Sequence, residues 1–264
     1  MKRLYKCNCR HLLSTVGEMS MDKNNKMIIF MSVVLLLSVY AVSRCFSTYS
    51  PDKEYSKKQE SESTKLTDKI SIVLDAGHGG MDPGKVGING ELEKDINLAI
   101  VLKLKEAIEK DEKLNAVVTL TRTDDTGHYK ESDSNKKMAD MRKRCEIIEE
   151  INPEMVISIH QNSYHSPRVK GAQVFYYKES KSGRFLAEKI QASLVEELSE
   201  GNKGRVEKAN DNYYLIMNVS CPAVIVECGF LSNEEEAKLL SNSQYQDRIV
   251  EAIIEGIKEY LGNN

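Results

Sequence analysis

The sequence is conspicuous first for what it lacks. Among 264 residues, 37 lysines and arginines face 40 aspartates and glutamates, leaving a formal net charge of -3. Without an overall basic field, the electrostatic attraction that dominates non-specific nucleic-acid binding is missing, so a DNA- or RNA-binding protein is excluded as a reading. Six cysteines with no regular spacing beyond Cys7 and Cys9 form neither a disulfide framework nor a cysteine-rich metal module. Any metal must then be held mainly by histidine and carboxylate. No internal repeat is present. No apolar run reaches the roughly 20 residues that span a membrane comfortably. The longest, Met27 to Val42, has 16. At this length and with 41% hydrophobic residues, one principal domain with one sizeable core is expected.

What is there begins with an export pattern. Six basic residues (Lys2, Arg3, Lys6, Arg10, Lys23 and Lys26) against Glu18 and Asp22 precede the uncharged run. A positive flank followed by an apolar stretch is the secretory arrangement. Residues 1–46 therefore read as a basic region with a signal peptide or a membrane anchor formed by residues 27–42. Ala41-Val42-Ser43 suits cleavage after Ser43, whereas Arg44 before Cys45 does not suit a lipoprotein site. Met21, followed by Asp22-Lys23-Asn24-Asn25-Lys26, resembles a natural start, so residues 1–20 are read as an extension. Residues 47–69, polar and charged, read as a disordered linker.

Residues 70–264 alternate short β-branched runs with amphipathic helical patterns, which predicts a single α/β domain: an open, mostly parallel β-sheet with helices on both faces. Strands are expected over Ile70–Ala76, Ala116–Thr121, Met155–His160, Gln173–Tyr177 and Ala223–Glu227. Three sets of isoleucine and leucine recur every four residues: Ile96 to Ile108, Leu186 to Leu198, and Ile249 to Ile257. Each makes one apolar helix face. A further helix is expected over about 136–150, ending at Asn152-Pro153.

On this scaffold His78, His160 and Glu227 stand at strand carboxyl ends, where open α/β sheets build their sites. Glu93 opens the first helix, and the glycine-rich loop after His78 can fold it back. Two imidazoles and one or two carboxylates sharing a pocket suit zinc, with a coordination position open to water or substrate. A second, unligated carboxylate can move a proton from the water to a leaving amine, which is amide hydrolysis. Taken singly, each residue has a plainer explanation. Strand-end histidines are usually hydrogen-bonded structural residues, and Glu93 satisfies a helix macrodipole. Glu227 is harder to explain away, because a carboxylate directly after Ala223-Val224-Ile225-Val226 is costly unless something pairs with it. The segment Gly77–Gly90 lacks the third glycine of a dinucleotide fingerprint and a Walker ending, so nucleotide binding is not expected. His11, His128 and His165 read as solvated, and Cys145, Cys221 and Cys228 as free structural thiols.

Four ordered blocks carry a resemblance. Asp75-Ala76-Gly77-His78-Gly79-Gly80-Met81-Asp82-Pro83-Gly84, Glu93-Lys94-Asp95, Ser158-Ile159-His160-Gln161-Asn162-Ser163 and Val226-Glu227-Cys228-Gly229-Phe230-Leu231-Ser232-Asn233 resemble the bacterial zinc-dependent N-acetylmuramoyl-L-alanine amidases. The resemblance implies one zinc ion on His78, Glu93 and His160, and Glu227 as the catalytic carboxylate. It implies supporting or substrate-binding roles for Arg122, Arg144 and Asn162. The implied reaction is hydrolysis of the amide between N-acetylmuramic acid and L-alanine in peptidoglycan. Ala76 replaces a usual proline, Ile148-Glu149 a usual Ala-Asn, and Gln161 a usual small residue; none touches an implied ligand. The stretch from Asn162 to Val226 leaves little room for the blocking helix of some cell-division members. A single domain behind an export signal, without wall-binding repeats, is most similar to the germination-specific members of endospore formers. Those act on the spore cortex before muramic δ-lactam forms. The absence of repeats implies targeting by the membrane, the compartment or an accessory protein. The competing readings are a catalytically silent peptidoglycan-binding protein and a zinc peptidase or deacetylase acting on another amide.

Overall fold

In a computed structural model of the chain, the described residues are 22, 27, 30–40, 69–198 and 204–262. They fall in two units, residues 1–63 and 64–264. In the first unit, residues 30–40 are helical with exposed side chains. Among the described residues no helix is long and apolar enough to cross a membrane. The expected cleavage point after Ser43, the extension over residues 1–20, His11 and the linker up to residue 68 lie outside the described residues.

The second unit is built on the β-branched runs. They form β1 (Ile70–Ala76), β2 (Ala116–Leu120), β3 (Met155–Asn162), β4 (Gln173–Tyr177), β5 (Lys208–Asn210) and β6 (Ala223–Phe230). Between and after them come α1 (Glu93–Lys110), α2 (Lys136–Ile151), α3 (Lys181–Glu197), α4 (Tyr214–Met217), α5 (Glu234–Leu240) and α6 (Ser243–Gly262). The six strands make one sheet in the order β2-β1-β3-β6-β4-β5. The run from β2 to β6 is parallel, β4 lies antiparallel to β6, and β5 is parallel to β4.

Both faces of the sheet are covered, as near-continuous apolar strands require. Alternate residues Ile72 and Leu74 of β1 join Ile100 and Leu104 of α1, Ile190 and Leu194 of α3, and Ile253 and Ile257 of α6 in one core. Val73, one residue out of phase, joins Val156, Ile225, Cys145 and Ile148 of α2 and Leu215 of α4 in the other. Period two along the strand and period near four along the helices thus meet in the same side chains. Helix α2 starts at Asn135, whose side chain accepts from Met138 N at 3.0 Å, and ends at left-handed Asn152 before Pro153.

The sheet departs from expectation in two ways. Strand β5 is a sixth strand of only three residues, Lys-Ala-Asn, without the apolar alternation that marks a strand. Strands β3 and β6 run past the expected ends at His160 and Glu227, so these two residues lie inside strands, directly opposite each other in register. Pairing with β3, where Asn162 stands opposite Phe230, carries β6 past Glu227, whereas pairing with β4 stops at Gln173 opposite Glu227; all eight residues of β6 are buried.

Candidate metal centre

The centre starts where β1 ends. Gly77 follows Ala76, and a Cβ on it would lie 2.2 Å from the His160 ring, so only glycine lets that ring rest here. His78 then turns left-handed, with φ 61°, a conformation that non-glycine residues adopt at a cost. Two arginines hold the turn from behind. Arg144 Nη1 donates to Ala76 O at 2.7 Å and Nη2 to His78 O at 2.6 Å. Arg122 Nε donates to Ala76 O at 2.8 Å and its Nη2 to Gly77 O at 3.1 Å. Asn97 Nδ2 also donates to Gly77 O, at 3.0 Å.

Arg144 is fully buried and pairs with Asp75 at 2.6 Å and Asp140 at 2.7 Å. Asp75 also accepts from Thr121 Oγ1 at 2.7 Å and Ser158 Oγ at 2.5 Å. Burial would push the Asp75 carboxyl up, but the guanidinium and the two hydroxyls hold it well below its ordinary value. A buried ionic strut therefore lies under the His78 turn.

Glu93, the first residue of α1, comes back to His78 because the intervening loop is tied to it. Lys85 N donates to Glu93 Oε2 at 2.7 Å and Gln161 N to Oε1 at 3.1 Å. A Cβ on Gly84, which is left-handed, would strike both Glu93 Oε2 and the His78 ring. Glu93 Oε1 lies 3.1 Å from His78 Nε2 and 3.0 Å from His160 Nδ1. The three side chains bring ligand atoms within 4.8 Å of one another, the kind of group that can hold a metal ion. Gln161, bulkier than the resemblance implied, fits because its side chain turns away to donate to Asn97 Oδ1 at 3.1 Å.

The electrostatics of this group favour positive charge. Both ring nitrogens of His78 face carboxylates: Nδ1 faces Asp82 Oδ2 at 2.9 Å, and Nε2 faces Glu93. Burial alone would lower the pKa of His78, yet the two carboxylates raise it. Glu93 is buried, which would raise its pKa, but the imidazoles hold it well below the usual carboxylate range. A site that favours a proton on this imidazole equally favours a cation among neutral imidazole and carboxylate donors. Asp82 fixes the His78 ring, an arrangement that raises ligand basicity.

Glu227 is the opposite case. It is 7% exposed and lines the same cavity as His78, Glu93 and His160. Burial dominates and pushes its carboxyl up to about 7, helped by Glu93 and opposed by His160 and Tyr213. Its Oε2 has no protein partner among the described residues, and its Oε1 accepts from Tyr213 OH at 3.4 Å. The Tyr213 ring is held edge-on against Phe175, with centroids 5.4 Å apart.

The fold thus brings His78, Glu93, His160 and Glu227 to one cavity. It places Asn162 on the wall, accepting from Ser163 N at 2.7 Å, and Arg144 at the back. Arg122 lies behind the loop and does not line the cavity. His128 is not solvated as expected: Nε2 lies 2.6 Å from Thr121 O, and its backbone N donates to Asp140. His165 is exposed, against Tyr164, and outside the group that could hold a metal. Cys145 and Cys228 are buried and Cys221 half-buried, all as free thiols. Two site residues escaped the reading of the sequence. Asp82 was inside a quoted block without a role, and Tyr213 was signalled only by the aromatic pair Tyr213-Tyr214.

The profile of the N-acetylmuramoyl-L-alanine amidases matches residues 72–259. The chain belongs to this family. It is 38% identical over 202 residues to the germination-specific N-acetylmuramoyl-L-alanine amidase of Bacillus subtilis, covering 75% of this chain and 82% of that protein. Among solved structures, the CwlD amidase of Clostridioides difficile, in complex with the GerS lipoprotein, is similar with a TM-score of 0.70 and 41% identity. That match covers 74% of this chain and 100% of the other. The catalytic domain of CwlV from Bacillus (Paenibacillus) polymyxa var. colistinus matches with a TM-score of 0.62 and 30% identity, over 73% of this chain and 98% of that one. The protein is an N-acetylmuramoyl-L-alanine amidase acting on peptidoglycan, on an α/β domain with a mostly parallel six-stranded sheet.

Proposed function

We propose that the enzyme works with one zinc ion held by His78, Glu93 and His160, that Glu227 carries the proton, and that the substrate is the spore cortex on its way to muramic δ-lactam. The observation that supports the chemistry best is the pairing of two unlike environments in one cavity. One is a charge-stabilising triad of two imidazoles and a carboxylate, and the other a buried carboxylate with one oxygen unpartnered. The donor set fits zinc, which takes three such ligands in catalytic sites. When bound, zinc supplies a Lewis acid that polarises the amide carbonyl and acidifies water.

The chain does the rest. Asp82 holds the His78 ring so that Nε2 faces inward, and the backbone N–H groups of Lys85 and Gln161 hold Glu93 ionised. Glu227 Oε2 takes the proton of the attacking water and returns it to the L-alanine nitrogen as the C–N bond breaks. A carboxyl poised near neutrality can do both. Arg144 and Arg122 act as site support by fixing the carbonyls of Ala76, Gly77 and His78. Asn162 is assigned to the substrate wall.

The chain is proposed to have three parts: residues 1–46 for export, by a signal peptide or an anchor over residues 27–42, then a linker over 47–69 and the amidase over 70–264. The enzyme then works in the cell-wall or cortex compartment. The Bacillus subtilis relative supports the germination role, and the Clostridioides difficile relative, seen with a lipoprotein, supports an accessory partner. Digestion of cortex-type peptidoglycan with and without a chelator tests the proposal. New L-alanine amino termini are expected, lost on chelation and restored by zinc. Termini released at full rate after complete metal removal would contradict it.

A further inference from the structure

The cavity around the centre, about 530 Å³, has two lysines on its wall, Lys85 and Lys137, whose side chains the reaction above does not use. Lys85 is tied to Glu93 in both directions: its N–H donates to Glu93 Oε2 at 2.7 Å, and its carbonyl accepts from Glu93 N at 3.0 Å. Its backbone is thereby fixed beside the centre, while the residue is exposed and its ammonium, on a flexible four-carbon stem, has no ion-pair partner among the described residues. Lys137, in the first turn of α2, places Nζ 3.1 Å from Asp82 Oδ2, the carboxylate that faces His78. Both lysines line the cavity that holds the triad. The cavity therefore carries two cationic residues on its wall.

The chemistry of the substrate supplies a matching group. In peptidoglycan stems, the residue after L-alanine is D-glutamate joined through its side-chain carboxyl, so its α-carboxyl is left free, or is amidated in some walls. That group lies one residue from the bond being broken. We infer that Lys85, with Lys137 beside it, forms a subsite for this α-carboxylate and makes the enzyme prefer stems in which it is unmodified. The inference rests on the amidase reading of the same cavity. A lysine supplies a mobile point charge, which suits a carboxylate on a flexible peptide, and charge-assisted contacts are the strong ones.

Two soluble N-acetylmuramoyl peptides, identical except for D-glutamate or D-isoglutamine at the second position, test this with the full-length zinc-loaded protein. The wild type is expected to favour the free carboxylate roughly tenfold in kcat/KM, the scale of one partly exposed charged contact. Lys85→Met should reduce that preference to about twofold or less, and Lys137→Met should reduce it partly. The ratio is decisive because a general loss of activity leaves it unchanged. Calorimetric binding of the two cleaved peptides to the metal-free protein should show the same order, independently of turnover. Equal rates for both substrates in the wild type, or a full preference retained in Lys85→Met, would overturn the subsite. Failure to cleave either substrate would instead count against the amidase reading, while the binding measurement still decides the subsite.

Discussion

Glu93 and Glu227 are the same side chain in two treatments. Glu93 stands on the loop-to-helix junction, where two backbone N–H groups and two imidazoles face its oxygens. Glu227 stands inside a strand buried along its whole length, with only a distant tyrosine hydroxyl and one oxygen unpaired. Burial acts on both, but specific partners outweigh it at Glu93 and not at Glu227. The first is kept charged and suited to hold a cation; the second is kept near neutrality and suited to pass a proton. Nothing in residue type separates these roles. The number of donors aimed at each does.

The largest effect should come from neutralising the two carboxylates in turn. Glu93→Gln is expected to remove bound zinc and turnover together, by analysis of metal stoichiometry alongside activity. Glu227→Gln should keep its metal and still lose about 10² to 10⁴ in turnover, the usual scale for general acid-base help. If both variants lose metal equally, the division of labour fails. A smaller effect is expected for Asp82→Asn, which leaves the ligands in place but weakens the orientation of His78. Zinc titration should show affinity lower by roughly 10- to 100-fold. Unchanged affinity would show that His78 is oriented by other contacts.

The smallest effect on chemistry and the clearest on stability is expected at Asp75. Its carboxyl is depressed in the folded protein below its ordinary 3.8. The stabilisation is therefore fully present above about pH 4 and is lost as pH falls toward the folded value. Asp75→Asn leaves Arg144 without that buried partner and should cost about 3–5 kcal/mol at neutral pH. Urea unfolding across pH 2–7 checks this, and the variant's curve should be the flatter one in acid. A variant as acid-sensitive as the parent would exclude Asp75 as the responsible group.

Much of the molecule was legible in the sequence, and the reasons are local. Helices α1, α3 and α6 could be read because each buries one face against a continuous core, which leaves a period, and β1 because burial on both faces leaves a short apolar run. The convergence of His78, Glu93, His160 and Glu227 was legible because strand ends in a parallel sheet share one edge. Strand β5 was not, because three polar residues at a sheet edge carry no pattern. The far ends of β3 and β6 were missed because Gln161-Asn162 and Cys228-Gly229 do not continue the apolar β-branched runs, although β3 and β6 pair with each other there. His128 was misread because its partner, the Thr121 carbonyl, is a backbone group that no side-chain pattern announces. The ionic strut was hidden for a similar reason: Arg144 reaches from α2 to β1, to Thr121 just after β2 and to the His78 turn at once, and only the assembled sheet brings those together.

That strut has a consequence for the shape of the cavity. The unusual backbone at His78 is clamped by guanidinium groups belonging to the protein itself. The turn that carries His78 is thus pre-organised by charges the chain itself supplies.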